Sequence, residues 1–143
     1  DGCIDMIQLH GEEDADYIRC LREVCDVPVI KAVKVQTVEQ IRKAAGLPVD
    51  YLLLDTYREG VLGGTGEAFD WELLREAKAA AGDAAEGELF GKPYFLAGGL
   101  HAGNLREAAA LGSYGLDVSS GIETDGSKDF TKMVKVMELV RKL

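Results

Sequence analysis

Five short apolar runs alternate along the chain with segments whose apolar residues recur at helical spacing. The runs lie at 3–10, 27–35, 50–56, 92–99 and 114–120. Continuous apolar runs of this length are typical of strands that are buried on both faces. Strand and helix alternating in this way predict parallel pairing through right-handed crossovers, which is an α/β fold of βα repeats.

The segments between the runs carry the start and stop signals of helices. In 37–46, Thr37 is the predicted N-cap, Gln40 stands three residues later and Gly46 follows the last turn. The other helical patterns lie at 12–25, 70–82, 104–112 and 129–143. The last of them has one apolar stripe, formed by Phe130, Met133, Val134, Met137 and Val140. Residues 78–92 are interpreted as a helix end followed by a surface connection.

Size and composition narrow the class of protein. The 143 residues suffice for a single domain, 1–143, with its own core. A formal net charge of −9 argues against nucleic acid or an anionic membrane surface as the main partner. No apolar run approaches the roughly 18 residues of a membrane span. Three cysteines without ligand spacing, and no signal-like start, favour a reducing cytoplasm. The two histidines have no acidic partner at ligand spacing, so no metal site is predicted.

Polar or glycine residues end four of the five predicted strands, and ligands of parallel βα folds collect at these carboxyl ends. The last two ends are AGG, with Gly98 and Gly99, and SSG, with Ser119, Ser120 and Gly121. Backbone N–H groups and hydroxyls there suit an oxyanion, phosphate above all. A tight turn explains each end by itself, whereas the two together favour a phosphate site.

Asp55 ends the run YLLLD, where partial removal from water suits a carboxyl that delivers a proton. A helix cap or a loop anchor is the alternative. The glycine-rich stretch 62–71, with Gly64, allows close backbone approach to a ligand, or is a surface turn. Its spacing matches neither the Walker nor the dinucleotide pattern.

Gln8 and His10 alternate on the first predicted strand, so both project to the same side. Contact with a ligand is one interpretation of this pair, and a hydrogen-bonded core histidine is the other. Asp117, just inside the last strand end, is either structural or close to a substrate. The five repeats fit an open doubly wound sheet or most of a barrel.

Taken together, the motifs resemble those of phosphoribosylanthranilate isomerase of tryptophan biosynthesis, across essentially the whole chain. They are IQLHGEE, VIKAVKV, YLLLDT followed by GGTGEAFDW, PYFLAGGL and YGLDVSSGIETDGSKD. The resemblance implies a (β/α)8 TIM barrel and an Amadori rearrangement of N-(5-phosphoribosyl)anthranilate to 1-(2-carboxyphenylamino)-1-deoxyribulose 5-phosphate, without cofactor or metal. It implies Asp55 as the general acid, the last two strand ends as the phosphate site, and Gln8 and His10 in the pocket wall.

One feature of the family is missing. Its general base is a cysteine in a Lys-x-Cys-Gly setting on the first strand, and Cys3 has different neighbours. The chain resembles strands four to eight, so we expect a partial TIM barrel that is inactive by itself. Unpaired sheet edges then predict self-association. The alternatives are a non-catalytic phosphate-binding or assembly module, and another sugar-phosphate barrel such as indole-glycerol-phosphate synthase, which would leave GGTGEAFDW without a role.

Overall fold

The computed structural model describes residues 3–55, 71–82 and 85–143. One sheet of these residues contains β1 (Ile7–Leu9), β2 (Val29–Lys34), β3 (Tyr51–Asp55), β4 (Glu88–Leu89), β5 (Lys92–Ala97) and β6 (Gly115–Leu116). The helices are α1 (Ala15–Val24), α2 (Val38–Ala45), α3 (Trp71–Ala81), α4 (Leu105–Ala110) and α5 (Phe130–Val140). A 3-10 turn at Ser120–Ile122 leads into a separate two-stranded hairpin of β7 (Glu123–Thr124) and β8 (Ser127–Lys128).

Strands β1, β2, β3, β5 and β6 lie side by side in this order, and each neighbouring pair is parallel. The predicted α/β fold of parallel βα repeats, arranged as part of a TIM barrel, is confirmed. The interpretation of 78–92 as a helix end and a connection overlooked β4, which forms a tight antiparallel hairpin with β5. Phe90 and Gly91 both adopt left-handed backbone angles, φ 51° and 75°, at the turn of this hairpin.

The two faces of the sheet differ in what covers them. The helix-covered face carries the larger core, with Leu52, Leu54, Tyr94 and Leu96 packed among the helices. Burial there raises the pKa of Tyr94 to about 12. The opposite face, which we call the inner face, carries a smaller apolar cluster of Ile30, Ala32, Leu53 and Ala97. Side chains alternate along a strand, so residues two positions apart share a face.

Aromatic rings cover the inner face near the amino ends of the strands. The ring centroids of Tyr51 and Tyr114 are 5.4 Å apart, and Phe95 packs edge-on against Tyr114 at 5.4 Å. A hydrogen bond with Tyr114 raises the pKa of Tyr51 above its ordinary value. Polar side chains of the inner face, Lys34 and Asp55 among them, lie at the opposite, carboxyl end.

Local signals account for the helix ends. The predicted N-cap is confirmed at α2, where the Thr37 hydroxyl accepts from the Gln40 N–H and the Gln40 side chain accepts from the Thr37 N–H. Helix α2 ends at Ala45, directly before Gly46. The loop between β1 and α1 is held differently, because the buried Lys31 ammonium donates to the carbonyl of Gly11 at 2.5 Å and to Glu13 Oε2 at 2.9 Å.

The outer strands of the parallel series leave apolar surface uncovered. Within the described residues, β1 pairs with β2 alone and β6 with β5 alone. An apolar groove of about 520 Å³ lies between β6 and α5, lined among others by Leu116, Val118, Ile122, Met133, Met137 and Val140. No helix in the described ranges is both long enough and apolar enough to span a bilayer.

Candidate active site

The carboxyl ends of the parallel strands meet at one edge of the sheet, which we call the rim. The strand register sets Lys34 beside Asp55, and Asp55 beside Ala97. Asp55 follows Leu53 by two residues and therefore lies on the inner face, half-buried. The predicted general acid is thus one strand away from the predicted phosphate-binding end of β5.

The end of β5 is a turn that requires glycine. Gly98 and Gly99 adopt φ values of 87° and 65°, both in the left-handed region that side chains disfavour. The Asn104 side chain holds this turn, because Nδ2 donates to the Gly99 carbonyl at 3.1 Å and Oδ1 accepts from the His101 N–H at 2.9 Å. Asn104 therefore stabilises the predicted phosphate turn rather than capping α4 with its side chain.

The end of β6 differs from the predicted strand 114–120. The ladder stops after the Asp117 N–H, which donates to the Leu96 carbonyl at 2.8 Å, and Ser120–Ile122 forms a 3-10 turn. The backbone is closely packed at Gly121 in this turn, where a Cβ atom would come within 1.9 Å of the Leu100 carbonyl oxygen. The backbone of this turn packs against the backbone of the loop after β5. The two predicted phosphate-binding ends therefore touch.

Lys128 is a contact of this site that sequence reasoning missed. Its Nζ lies 3.1 Å from both Ser119 Oγ and the Ser119 carbonyl oxygen, and 2.6 Å from Glu123 Oε1. The lysine lies on the β7–β8 hairpin. The turn of this hairpin contains Asp125 and Gly126, with φ values of 50° and 75°. The dipeptide Asp-Gly is a strong hairpin signal, so the hairpin could have been predicted.

Gln8, His10 and Asp117 lie at the same rim. The register pairs Gln8 with Ile30 of the inner face, and Gln8 Nε2 is 3.5 Å from His10 Nδ1. Asp117 follows Gly115, the partner of Phe95, and therefore also belongs to the inner face. All three side chains are exposed. Sequence reasoning also missed Lys34, an exposed rim residue whose register partner is Asp55.

One predicted site residue lies outside the described part of the chain, and the cysteines lie away from the rim. Gly64, with the rest of the glycine-rich stretch up to residue 70, is outside the described residues. Cys3 precedes β1, Cys20 lies exposed on α1, and Cys25 caps the end of α1. Among the residues that the structure describes, no group of three or more His, Cys, Asp or Glu side chains could hold a metal ion.

The arrangement suits a small phosphorylated molecule lying along the rim. Neighbouring strands are about 4.8 Å apart, so the end of β3 and the end of β6 are separated by about 10 Å, with β5 between them. Backbone N–H groups and a serine hydroxyl at one end suit an anion, and a carboxyl at the other end can exchange a proton.

A family model and a curated relative identify one family. The model of the family described as N-(5'phosphoribosyl)anthranilate (PRA) isomerase matches residues 2–139. The N-(5'-phosphoribosyl)anthranilate isomerase of Lachnoclostridium phytofermentans is 47% identical over 131 residues, covering 91% of this chain and 60% of that protein.

Two solved structures agree with the sequence comparison. Phosphoribosyl anthranilate isomerase from Thermus thermophilus superposes with a TM-score of 0.70 at 30% identity, covering 97% of this chain and 62% of that one. A second such isomerase, in complex with reduced 1-(o-carboxyphenylamino)-1-deoxyribulose 5-phosphate, superposes with a TM-score of 0.68 at 27% identity, covering 98% and 61%. The chain thus spans about three fifths of the length of these proteins.

Proposed function

Because the chain belongs to the N-(5'-phosphoribosyl)anthranilate isomerase family, we propose that it carries the phosphate-binding and general-acid part of such an isomerase site. The reaction is the Amadori rearrangement of N-(5-phosphoribosyl)anthranilate to 1-(2-carboxyphenylamino)-1-deoxyribulose 5-phosphate in tryptophan biosynthesis. The observation that carries the proposal is the contact between the ends of β5 and β6 at Gly121, one strand away from Asp55. A relative with a bound phosphorylated five-carbon compound supports the class of substrate.

The proposed first step is acid catalysis by Asp55. The substrate phosphate binds at Gly98, Gly99 and the turn that follows Ser119, which sets the sugar along the rim. The Asp55 carboxyl donates its proton to the ribose ring oxygen, the bond from C1 to that oxygen breaks, and the ring opens to a Schiff base. Gln8, His10 and Asp117 form the wall of the pocket in this proposal.

The second step needs a base that removes the proton from C2, after which the enolamine rearranges to the aminoketose. Within the family this base is a cysteine in a Lys-x-Cys-Gly setting, which the sequence does not contain. Cys3, Cys20 and Cys25 lie off the inner-face strands. We therefore propose that the chain binds a sugar phosphate but does not turn it over, because general base catalysis is worth about 10²–10⁴ in rate.

A chimera tests the role of Asp55 directly. The part of the Lachnoclostridium phytofermentans isomerase that this chain does not span is fused to it, so that a base is present. We expect isomerase turnover, and we expect Asp55→Asn to lower kcat by about 10²–10⁴ with little change in KM. Asp26→Asn is the matched control, since Asp26 is exposed and precedes β2 at the opposite end of the sheet. Equal kcat values for the two variants would contradict the proposed acid.

The alternative function is a non-catalytic phosphate-binding or assembly module. A chimera that binds phosphate and remains without turnover would favour it. For the free chain we also propose self-association, supported by β1 and β6, each of which pairs with a single strand within the described residues, and by the apolar groove between β6 and α5. A cytoplasmic location is part of the proposal, supported by three cysteines that form no disulfide.

A further inference from the structure

We infer that Lys128 is a positioning residue of the phosphate site, which fixes the Ser119 hydroxyl so that its proton points toward the bound phosphate. This inference rests on the proposed function, because it names a residue that prepares the proposed phosphate site. Its basis is the contact between the Lys128 ammonium and Ser119 in the structure.

The hydrogen-bonding capacity of the two groups determines where the serine proton goes. An ammonium has three N–H donors and no acceptor, whereas a hydroxyl has one donor and two acceptor lone pairs. Lys128 Nζ at 3.1 Å from Ser119 Oγ can only donate, so the hydroxyl accepts this bond. The hydroxyl proton must therefore point away from the lysine. Among the described residues Ser119 Oγ donates to no acceptor, which leaves its proton available to an anion.

Lys128 is held in this position by partners that use its remaining donors. It donates to the Ser119 carbonyl at 3.1 Å and to Glu123 Oε1 at 2.6 Å. Glu123 is the register partner of Lys128 across the β7–β8 hairpin. The Glu123 carbonyl in turn accepts from the Lys132 ammonium of α5. All three donors of Lys128 are thus directed, so the amine cannot rotate freely away from Ser119.

The charge of Lys128 is largely compensated by Glu123. The Lys128 side chain is 50% exposed and the Glu123 side chain is 28% exposed. At this exposure water and salt weaken the attraction between ions. Long-range attraction of phosphate is therefore the smaller part of what Lys128 contributes. The larger part is the direction of the Ser119 hydroxyl, and this part requires Ser119 to be present.

A double-mutant cycle separates these contributions. Inorganic phosphate is titrated into the 143-residue chain by calorimetry at fixed ionic strength, for wild type, Lys128→Gln, Ser119→Ala and the double variant. We expect Lys128→Gln to weaken phosphate binding by about three- to ten-fold in the wild-type background. In the Ser119→Ala background the same change should have an effect below about two-fold. Lys135→Gln is the control: it removes the same charge from an exposed position on α5 and should leave phosphate affinity unchanged.

Two further measurements distinguish orientation from charge and from hairpin stability. The loss caused by Lys128→Gln should persist at high salt, which screens charge but not the direction of a hydroxyl. Glu123→Gln removes the charge of the ion pair, but the glutamine amide oxygen can still accept from Lys128 and hold it beside Ser119, so phosphate affinity should be kept or increased. If Glu123→Gln weakens phosphate binding as much as Lys128→Gln does, Lys128 acts by holding the hairpin, and the inference is wrong.

Failure of the inference and failure of the proposed function give different results. Phosphate binding by the wild-type chain with equal Lys128→Gln losses in both backgrounds overturns the role through Ser119 and leaves the phosphate site standing. Absence of phosphate binding by the wild-type chain overturns both proposals together.

Discussion

Replacing Gly121 by alanine tests the contact between the two ends that form the proposed phosphate site. The added Cβ would lie 1.9 Å from the Leu100 carbonyl oxygen and 2.8 Å from His101 Cα. Since a carbon atom and a carbonyl oxygen approach to about 3.3 Å at closest, the two backbone segments would have to separate by about 1.4 Å. Both obstructing atoms belong to the backbone, so no change of side-chain rotamer relieves the contact.

The expected cost follows from that displacement. Overpacking costs about 1–3 kcal/mol, and contact between two backbones places this variant near 3 kcal/mol. A loss of this size lowers the midpoint of thermal unfolding by roughly 6–12 °C in a chain of this length. Phosphate affinity should fall at least about ten-fold, because the donors from β5 and β6 no longer converge on one anion. Thermal unfolding and calorimetric titration with inorganic phosphate measure the two effects.

Gly46→Ala is the matched control for the same chemical change. Gly46 has helical backbone angles, φ −75°, and the nearest atom to an added Cβ is the Lys43 carbonyl oxygen at 3.4 Å. We expect this variant to be more stable by about 0.4–1 kcal/mol, through reduced entropy of the unfolded chain. A Gly121→Ala variant that melts within about 2 °C of wild type and binds phosphate within about two-fold would show that the two strand ends are not in close contact at Gly121.

Two further predictions concern the loop after β1 and the surface of α5. The hydrogen bond from Lys31 holds the pKa of Glu13 below its ordinary value, against the opposing effect of burial. A carboxyl whose pKa is lowered by folding stabilises the protein at pH values above its unfolded pKa, and this stabilisation is lost as pH falls through the folded pKa. Glu13→Gln should therefore cost about 1–3 kcal/mol at neutral pH and flatten the acid side of a profile of thermal unfolding against pH; an unchanged profile would contradict the pairing. Met137→Lys should shift the free chain toward monomer in light scattering, whereas Val24→Lys, on exposed α1, should not; a monomeric wild type at micromolar concentration argues against self-association.

Much of the fold follows from patterns that are local in the sequence. The order of strands and helices follows from apolar periodicity, and the N-terminus of α2 follows from Thr37 and Gln40, which are three residues apart. Alternation along single strands correctly put Gln8 and His10 on one side. The family can also be identified from short motifs, because the residues at each strand end are adjacent in the sequence. The catalytic and binding roles of Asp55 and the other rim residues remain predictions.

The sequence by itself determined that polar groups would gather at one rim, since parallel βα repeats bring all strand ends to the same edge. Only the tertiary structure decided which groups meet there. Gly121 lies against Leu100, and Lys128 lies against Ser119, through packing of one loop on another and through a hairpin that returns to the rim. Asparagine is a residue type that commonly caps helices, but the Asn104 side chain holds the turn at Gly99 instead. Such contacts depend on distances between segments, and these distances are set by the register of the sheet and by close packing, which no local pattern records.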